Sequence, residues 1–248
     1  MHITLHFTSL DKSSSIRLPS ANLHLFQSML YSLLPPEDAS FLHDGLRLKL
    51  FAMSWPASDE RPKFINNAAI FPLPVRLTVS TPCESLALNF ASGAIGRTVR
   101  VGNNHIFCSR VDAEEQIART GSMIIKTLSP ITCYESVEKH GQPYTIYYSP
   151  YDREFKRSVH NNLLKKFCAL NPNIDPPEND FTITPLGELK ERISLFESES
   201  SFPIKGWWGK FRLEGPRELL QVALDSGLGA KNSSGWGCIS ELKKDDKQ

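Results

Sequence analysis

The order of hydrophobic patterns in the first half of the chain is the feature that most restricts its fold. HITLHF (His2–Phe7) alternates apolar and polar residues, which is typical of a half-buried strand. Apolar residues then recur at helical spacing over Ser20–Leu34, until Pro35 and Pro36 interrupt them. The pattern further predicts extended segments at Leu46–Met53, Phe71–Ser80 and Arg97–Val111, and a short helix at Pro82–Phe90. This β-α-β-β-α-β order is that of a ferredoxin-like fold, in which two helices cover one face of a sheet.

The second half of the chain repeats this order. It begins with extended segments from Ser122 and an aromatic strand at Gln142–Pro150, ahead of a helix at Arg153–Leu170. Two strands and a last helix (Pro216–Gly227) follow. The length of 248 residues suits two domains of ordinary size. We therefore predict an α+β protein made of two tandem ferredoxin-like (RRM-like) domains, 1–115 and 116–248.

A glycine-rich loop, GLGAKNSSGWG (Gly227–Gly237), follows that last helix. Glycine-rich loops often bind phosphate through backbone N–H groups. The spacing is not that of a P-loop, because Lys231 precedes Gly235, and Asn232 stands where a dinucleotide fingerprint has its third glycine. Two interpretations remain: a loop that presents N–H groups to a phosphate, and a flexible turn whose glycines only permit tight bends.

The overall charge gives no support to nucleic-acid binding, since the chain carries 28 basic and 27 acidic side chains. Binding of RNA would need a local basic surface. The five cysteines form no Cys-x-x-Cys pair, which argues against a zinc site or a disulfide framework and favours reduced thiols in the cytosol. The sequence shows neither a signal-peptide pattern nor an apolar stretch of about 20 residues. We expect a cytoplasmic protein without a membrane segment.

Basic and aromatic residues are mixed in the stretch Pro203–Arg217, which includes Lys205, Arg212 and two tryptophans. The open face of a ferredoxin-like sheet can bind single-stranded RNA through such residues. A basic amphipathic helix at Arg153–Lys166 is a second candidate. Both segments also fit a solvated surface with tryptophans in the core.

Three residues of the first half have side chains that can catalyse RNA cleavage. Tyr31 ends the first predicted helix, His43 lies in a predicted short loop, and Lys49 follows on the next predicted strand. RNA cleaves itself when a 2′-oxygen attacks the adjacent phosphate, helped by a base, an acid and a positive charge. Histidine and tyrosine can exchange protons, and lysine can offset the charge of the transition state. Taken singly, each residue also fits a structural role.

The chain resembles the CRISPR-associated repeat-processing endoribonucleases of the RAMP superfamily. The glycine-rich loop fits their G-h-G-x(5)-G-h-G signature, in which h is hydrophobic, with five residues between Gly229 and Gly235. FLHDG…LKLFAMS, which starts at Phe41, resembles the segment that contains their histidine. SPITCYE…YTIYYSPYDREF…NLLKKF, which starts at Ser129, resembles the beginning of their second domain.

The resemblance implies metal-independent cleavage within the repeats of a CRISPR precursor transcript, leaving a 5′-hydroxyl and a 2′,3′-cyclic phosphate. It assigns catalysis to Tyr31, His43 and Lys49 in the first domain, with His24 as a rival histidine. The loop is expected to bind RNA backbone phosphate close to the domain interface. The expected RNA contacts are Gly227, Gly229, Lys231, Asn232, Ser233, Gly235 and Gly237 of the loop, together with Lys205 and Arg212. No cofactor or metal is expected.

The expected partner is CRISPR repeat RNA, and a CRISPR effector complex and a second copy of the chain are further candidates. One alternative is a RAMP subunit that binds guide RNA without cutting it, which would have no need of His43 and Lys49. A second alternative is a ferredoxin-like protein that binds a small molecule.

Overall fold

The computed structural model describes residues 1–11, 13–43, 48–139, 141–195 and 203–242, and of 41–43 and 139 it describes the backbone. The elements of the first half are β1 (His2–Thr8), β2 (Ser15–Pro19), α1 (Leu23–Ser32), α2 (Pro36–His43), β3 (Ala52–Met53), β4 (Ala57–Ser58), β5 (Lys63–Ile65), β6 (Ala68–Pro72), β7 (Val75–Ser80), α3 (Glu84–Ala94), β8 (Thr98–Val101) and β9 (Asn104–Glu114).

The main sheet of the first half has the strand order β3-β7-β1-β9-β8, and β4 also pairs with β7. Every pair is antiparallel. The central strand β1 buries Ile3, Leu5 and Phe7 against the helices, and all three are at most 2% exposed. Phe26 of α1 and Phe90 of α3 belong to the same core. The strands β3-β7-β1-β9 therefore have the predicted ferredoxin-like arrangement.

The second half has the same arrangement. Its elements are β10 (Ser122–Thr127), β11 (Tyr134–Lys139), β12 (Gln142–Tyr147), α4 (Arg153–Leu170), β13 (Thr182–Ser194), β14 (Ile204–Glu214), α5 (Arg217–Ser226), a short 3-10 helix (Asn232–Ser234) and β15 (Ile239–Glu241). The sheet has the order β13-β14-β10-β15 with antiparallel pairs. The fold class, two tandem ferredoxin-like units, is confirmed.

Each half has its own hydrophobic core. The first core draws on residues between Ile3 and Cys108, and the second on residues between Ala118 and Ile239. The change from one core to the other falls between β9 and β10. The division of the chain after residue 115 stays a prediction, with one core on each side of it.

The first half departs from the sequence pattern in three places. Helix α2 is not predicted, because Pro36 was expected to stop a helix and in fact begins one, where its missing N–H is harmless. Within the described residues, the predicted strand Leu46–Met53 is a strand only at β3. Its predicted faces are wrong, since Leu48 is 41% exposed and Phe51 is fully buried. Strands β2, β6 and β5 form an additional small sheet.

The two halves pack together through a cluster of tryptophans. The Trp55 ring, between β3 and β4, lies 5.8 Å from the ring of Trp208 on β14 and 5.8 Å from that of Trp236. Trp55 Nε1 also donates to the carbonyl oxygen of Gly235 over 2.7 Å. The glycine-rich loop therefore contacts the first half directly, close to the interface as predicted.

Candidate active site and glycine-rich loop

The hydroxyl of Tyr31 and the amine of Lys49 are in contact. Tyr31 lies in the last turn of α1 and is 8% exposed. Lys49 lies in the extended segment before β3, and its Nζ donates to Tyr31 Oη over 3.1 Å. The same Nζ is 5.5 Å from the centroid of the tyrosine ring. The structure thus brings together two of the three predicted catalytic residues.

Burial of neighbouring residues holds this pair in place. Phe51, two residues after Lys49, is fully buried and packs edge-on against the Tyr31 ring with centroids 6.3 Å apart. The Phe51 ring also lies 5.7 Å from that of Phe90 on α3. The carbonyl oxygen of Leu50 accepts from Thr81 Oγ1 over 2.9 Å. The segment that carries Lys49 is therefore anchored on its C-terminal side.

His43 is the last residue of α2, six residues before Lys49. The sequence predicted a loop at this position, and the structure has the end of a helix. The side chain of His43 and residues 44–47 lie outside the described part of the chain. The rival His24 is half-buried on α1, two turns or about 10 Å before Tyr31 along the helix axis.

Gln27, which is not among the predicted site residues, joins the tyrosine to the glycine-rich loop. Its Nε2 lies 2.9 Å from the carbonyl oxygen of Ser233, 3.2 Å from Ser234 Oγ and 3.4 Å from Tyr31 Oη. Residues four apart share a helix face, so Gln27 and Tyr31 both project from the face of α1 that meets the loop. That spacing is the signal that could have found Gln27.

The glycines of the loop are required by its packing. Gly237 has a φ of 71°, and a Cβ there would lie 1.8 Å from the carbonyl oxygen of Leu228. Gly229 has a φ of 68°, and a Cβ there would lie 2.4 Å from the carbonyl oxygen of Thr132. Both backbones therefore exclude a side chain. The loop is a closely packed unit, which disfavours its interpretation as a flexible turn.

Lys166 of α4 holds the loop from inside the second core. It is 1% exposed, and its Nζ donates to the carbonyl oxygens of Ser226 and Gly227 over 2.9 and 2.7 Å and to Asn232 Oδ1 over 2.7 Å. Burial lowers the pKa of the Lys166 amine to about 7. Burial also raises the pKa of the neighbouring Cys133 thiol to about 12, so the thiol stays neutral.

The loop uses most of its polar groups internally and presents Lys231 to solvent. Asn232 is 7% exposed, and its Nδ2 donates to the carbonyl oxygens of Leu228 and Trp236 over 2.9 Å each. Ser233 is 8% exposed. Lys231 is exposed, with a φ of 59°, and its Nζ lies 5.5 Å from the ring centroid of Tyr134. Of the predicted polar contacts in the loop, Lys231 is the best placed to meet a ligand.

Lys205 and Arg212 do not form one surface with each other. They are seven residues apart on β14, and side chains of a strand alternate between faces, so the two project to opposite sides of the sheet. Lys205 is on the helix side and pairs with Glu191 over 3.3 Å. Its carbonyl oxygen accepts from Thr132 Oγ1, and the carbonyl oxygen of Thr132 accepts from Ala230 N, which links Lys205 to the loop. Arg212 lies exposed on the open face.

A cleft of about 950 Å³ lies between the two open sheet faces. Trp55 and Trp208 line it together with the basic side chains of Arg76, Lys126 and Arg192. The sequence predicted aromatic and basic residues on an open sheet face, and this cleft has both. Of the predicted stretch Pro203–Arg217, however, Trp208 alone is among the residues that line it, and the basic side chains come from other segments.

The described residues contain no group of three or more His, Cys, Asp or Glu side chains placed to hold a metal ion. In the same ranges, the helices are too short or too polar to cross a membrane.

A comparison with protein families matches residues 113–241, just over half of the chain, to the C-terminal part of the CRISPR associated protein Cas6. Among curated proteins, the chain is 23% identical to the CRISPR-associated endoribonuclease Cas6 of Pyrococcus furiosus, over 96% of this chain and 89% of the relative. It is 24% identical to the CRISPR-associated endoribonuclease Cas6 1 of Methanocaldococcus jannaschii, over 84% of this chain and 80% of the relative.

Solved structures show the same fold along nearly the whole chain. A Cas6-related protein from Pyrococcus furiosus superposes with a TM-score of 0.82 at 18% identity, covering 98% of this chain and 99% of the other. A RAMP protein described as binding different RNA substrates gives a TM-score of 0.81 at 19% identity, covering 98% of this chain and 100% of the other.

Proposed function

Because this chain belongs to the Cas6 family of CRISPR-associated proteins, we propose that it is an endoribonuclease that cleaves CRISPR precursor RNA within its repeats. Its curated relatives carry the name CRISPR-associated endoribonuclease. The observation that carries the proposal is the 3.1 Å contact between Lys49 Nζ and Tyr31 Oη. This contact lies beside a loop that is tied to the same helix through Gln27.

The proposed reaction is a metal-independent transesterification. The 2′-oxygen of one nucleotide forms a bond to the adjacent phosphorus while the bond from phosphorus to the 5′-oxygen breaks. A base takes the 2′-proton and an acid protonates the departing 5′-oxygen, which leaves a 2′,3′-cyclic phosphate and a 5′-hydroxyl. Tyr31 and His43 are the proposed proton-transfer pair. Lys49 offsets the negative charge that builds up on the phosphate.

RNA is proposed to lie on the outer surface of the glycine-rich loop. Lys231 contacts a backbone phosphate there, and Lys205 adds positive charge on the helix side of the sheet. The loop glycines give the backbone its shape, and the Asn232 side chain holds that shape from within. Arg212 lies on the open face of the sheet, so it contacts RNA only if the RNA extends from the loop onto that face. On this proposal, 1–115 carries the catalytic residues and 116–248 the RNA-holding loop.

The test is cleavage of end-labelled repeat RNA in excess EDTA by wild type, His43→Ala, Tyr31→Phe and Lys49→Met. We expect the wild type to cut at one position. Each variant should cut at least about 100-fold more slowly, as is typical for loss of a proton-transfer group. RNA affinity should change little. A product with a 2′,3′-cyclic phosphate, read by mass spectrometry, would support the 2′-oxygen as nucleophile.

His105→Ala is the matched control, because His105 is exposed on β9 of the same half. It should cut at the wild-type rate. Cleavage by His43→Ala at the wild-type rate would contradict the assignment of His43 and make His24 the next histidine to replace. Loss of all cleavage in EDTA, with recovery on added Mg²⁺, would contradict the metal-independent mechanism.

The second candidate function is RNA binding without cleavage. The structural likeness to a RAMP protein described as binding different RNA substrates favours it as the alternative. Tight binding of repeat RNA by wild type and by His43→Ala, with no product from either, would identify this function.

A further inference from the structure

We propose that Gln27 is a positioning residue that couples the glycine-rich loop to the hydroxyl of Tyr31. The inference rests on the proposed function, in which Tyr31 transfers a proton and the loop holds RNA. It adds a physical connection between the two. The Gln27 amide would then link the loop on which the RNA lies to the reactive hydroxyl of Tyr31.

The orientation of the Gln27 amide is fixed by its loop partner. The carbonyl oxygen of Ser233 can only accept a hydrogen bond, and it lies 2.9 Å from the side-chain nitrogen of Gln27. The nitrogen, and not the amide oxygen, must therefore face the loop and the tyrosine. One hydrogen of the amide is used by Ser233, and the other is left for Ser234 Oγ at 3.2 Å and Tyr31 Oη at 3.4 Å.

The Tyr31 oxygen therefore lies near two donors from different parts of the chain. Lys49 Nζ approaches it over 3.1 Å and Gln27 Nε2 over 3.4 Å, the second being the longer and weaker contact. A hydroxyl oxygen has two lone pairs, so two donors can fix its direction. Both contacts also stabilise the oxygen whenever it carries negative charge during proton transfer.

The loop side of this connection is rigid, whereas the Gln27–Tyr31 side is adjustable. Ser233 and Ser234 belong to the short 3-10 helix of the loop, whose first residue, Asn232, accepts a hydrogen bond from buried Lys166. A bound phosphate that accepts a hydrogen bond from the Ser234 hydroxyl would alter how Gln27 shares its second hydrogen between Ser234 and Tyr31. RNA that engages the loop would thus set the tyrosine for reaction.

The experiment measures the single-turnover cleavage rate of repeat RNA at saturating protein, together with the RNA dissociation constant, for Gln27→Met. Methionine keeps the length of the side chain and removes the donor. We expect the rate to fall about 3- to 10-fold, the effect of one hydrogen bond, with the dissociation constant within about twofold of wild type. Ser28→Met is the matched control on the exposed side of the same helix and should leave both values unchanged.

A double-mutant cycle separates coupling through Tyr31 from a general effect on folding. If Gln27 acts through Tyr31, adding Gln27→Met to Tyr31→Phe should cause no further loss of rate. Gln27→Leu, which is of similar size and has no hydrogen-bonding atom, should slow cleavage as Gln27→Met does and serves if the methionine variant does not fold. The inference would be overturned if Gln27→Met lowered the cleavage rate by the same factor in the wild type and in Tyr31→Phe. It would also be overturned if Gln27→Met changed only the RNA dissociation constant. Tyr31→Phe cutting at the wild-type rate would instead overturn the proposed site.

Discussion

At the scale of single residues, Lys166 is almost completely buried, and the hydrogen-bond acceptors that its amine meets among the described residues are uncharged. Its three hydrogen-bond acceptors are two carbonyl oxygens and the amide oxygen of Asn232. Burial lowers the pKa of its amine from 10.5 to about 7. Between these two values the unfolded chain holds a proton that the folded chain has released. The free energy of unfolding should therefore rise with pH in this window, and the gain is lost as the pH falls towards 7.

We predict that Lys166→Met removes this rise. The measurement is urea unfolding between pH 7 and about 8.5. The wild type and Lys166→Met carry the same five cysteines, so ionisation of thiols in the unfolded chain cancels in the comparison. The wild type should gain up to about 1.4 kcal/mol per pH unit from this group, and Lys166→Met should not. Lys165→Met, which replaces the exposed neighbour, should keep the wild-type slope. The same slope in both variants would show that Lys166 does not titrate in this range.

The role of Lys166 could have been predicted in part from the sequence. It follows Phe155, Val159 and Leu163 at steps of four, four and three residues, which places it on the buried stripe of α4. Its partners could not have been predicted, because they come from a loop about 60 residues away. Tyr31 and Lys49 lie on successive predicted elements and their chemistry suits one site, so the sequence points to this pair, and the structure places them in contact. Gln27 was missed because its partner Ser233 is 206 residues away.

At the scale of elements, the glycines of the glycine-rich loop can be required for two reasons. Either there is no room for a side chain, or the backbone only needs a positive φ. Gly237 and Gly187 have nearly equal φ values, 71° and 72°. A Cβ at Gly237 would meet the carbonyl oxygen of Leu228, whereas a Cβ at Gly187 meets nothing within 4 Å. Alanine at each position thus carries the same backbone strain and differs in the clash alone.

We predict that Gly187→Ala lowers the free energy of unfolding by about 1–2 kcal/mol, the cost of a left-handed residue. Gly237→Ala should lower it clearly more and should also weaken binding of repeat RNA, because the loop cannot keep its shape. Urea unfolding and a filter-binding assay measure the two effects. Equal losses of stability in the two variants, with unchanged RNA binding, would contradict the packing role.

The regular elements with strong periodicity were predictable and the irregular ones were not. Helices α1, α4 and α5 follow apolar residues at helical spacing, and their predicted bounds agree with the structure to within a few residues. Helix α2 escaped because PEDASFLH has few apolar residues and begins with proline. The small sheet of β2, β6 and β5 depends on pairings between distant segments, which a local pattern does not reveal.

At the scale of the whole molecule, Trp55 joins the two halves through both its side chain and its backbone. It contacts two tryptophans of the second half and donates to the loop carbonyl of Gly235. Backbone contacts add to this, since Trp55 N donates to the carbonyl oxygen of Leu128 over 3.0 Å. The halves should therefore unfold as one unit as long as this cluster is intact.

We predict that Trp55→Ala lowers the free energy of unfolding by about 3 kcal/mol and separates the unfolding of the halves into two transitions. Far-ultraviolet circular dichroism in a urea titration detects both changes. Phe64→Ala is the control, since Phe64 lines the same cleft and is 68% exposed; it should stay within about 0.5 kcal/mol of wild type. A single transition of unchanged midpoint in Trp55→Ala would contradict the joining role.

The hydrogen bond between Gln27 and Ser233 can form only after nearly all of this sequence has been synthesised, because the two residues are 206 positions apart. Chains are synthesised from the N-terminus, and the first half can fold while the second is still being translated. Tyr31, His43 and Lys49 are thus all present long before the glycine-rich loop leaves the ribosome. On the proposed function, a nascent or prematurely terminated chain has its proton-transfer groups but neither a surface for RNA nor the partner that directs Tyr31. On the same proposal, nuclease activity is delayed during synthesis until the glycine-rich loop has been added and has folded against the first half.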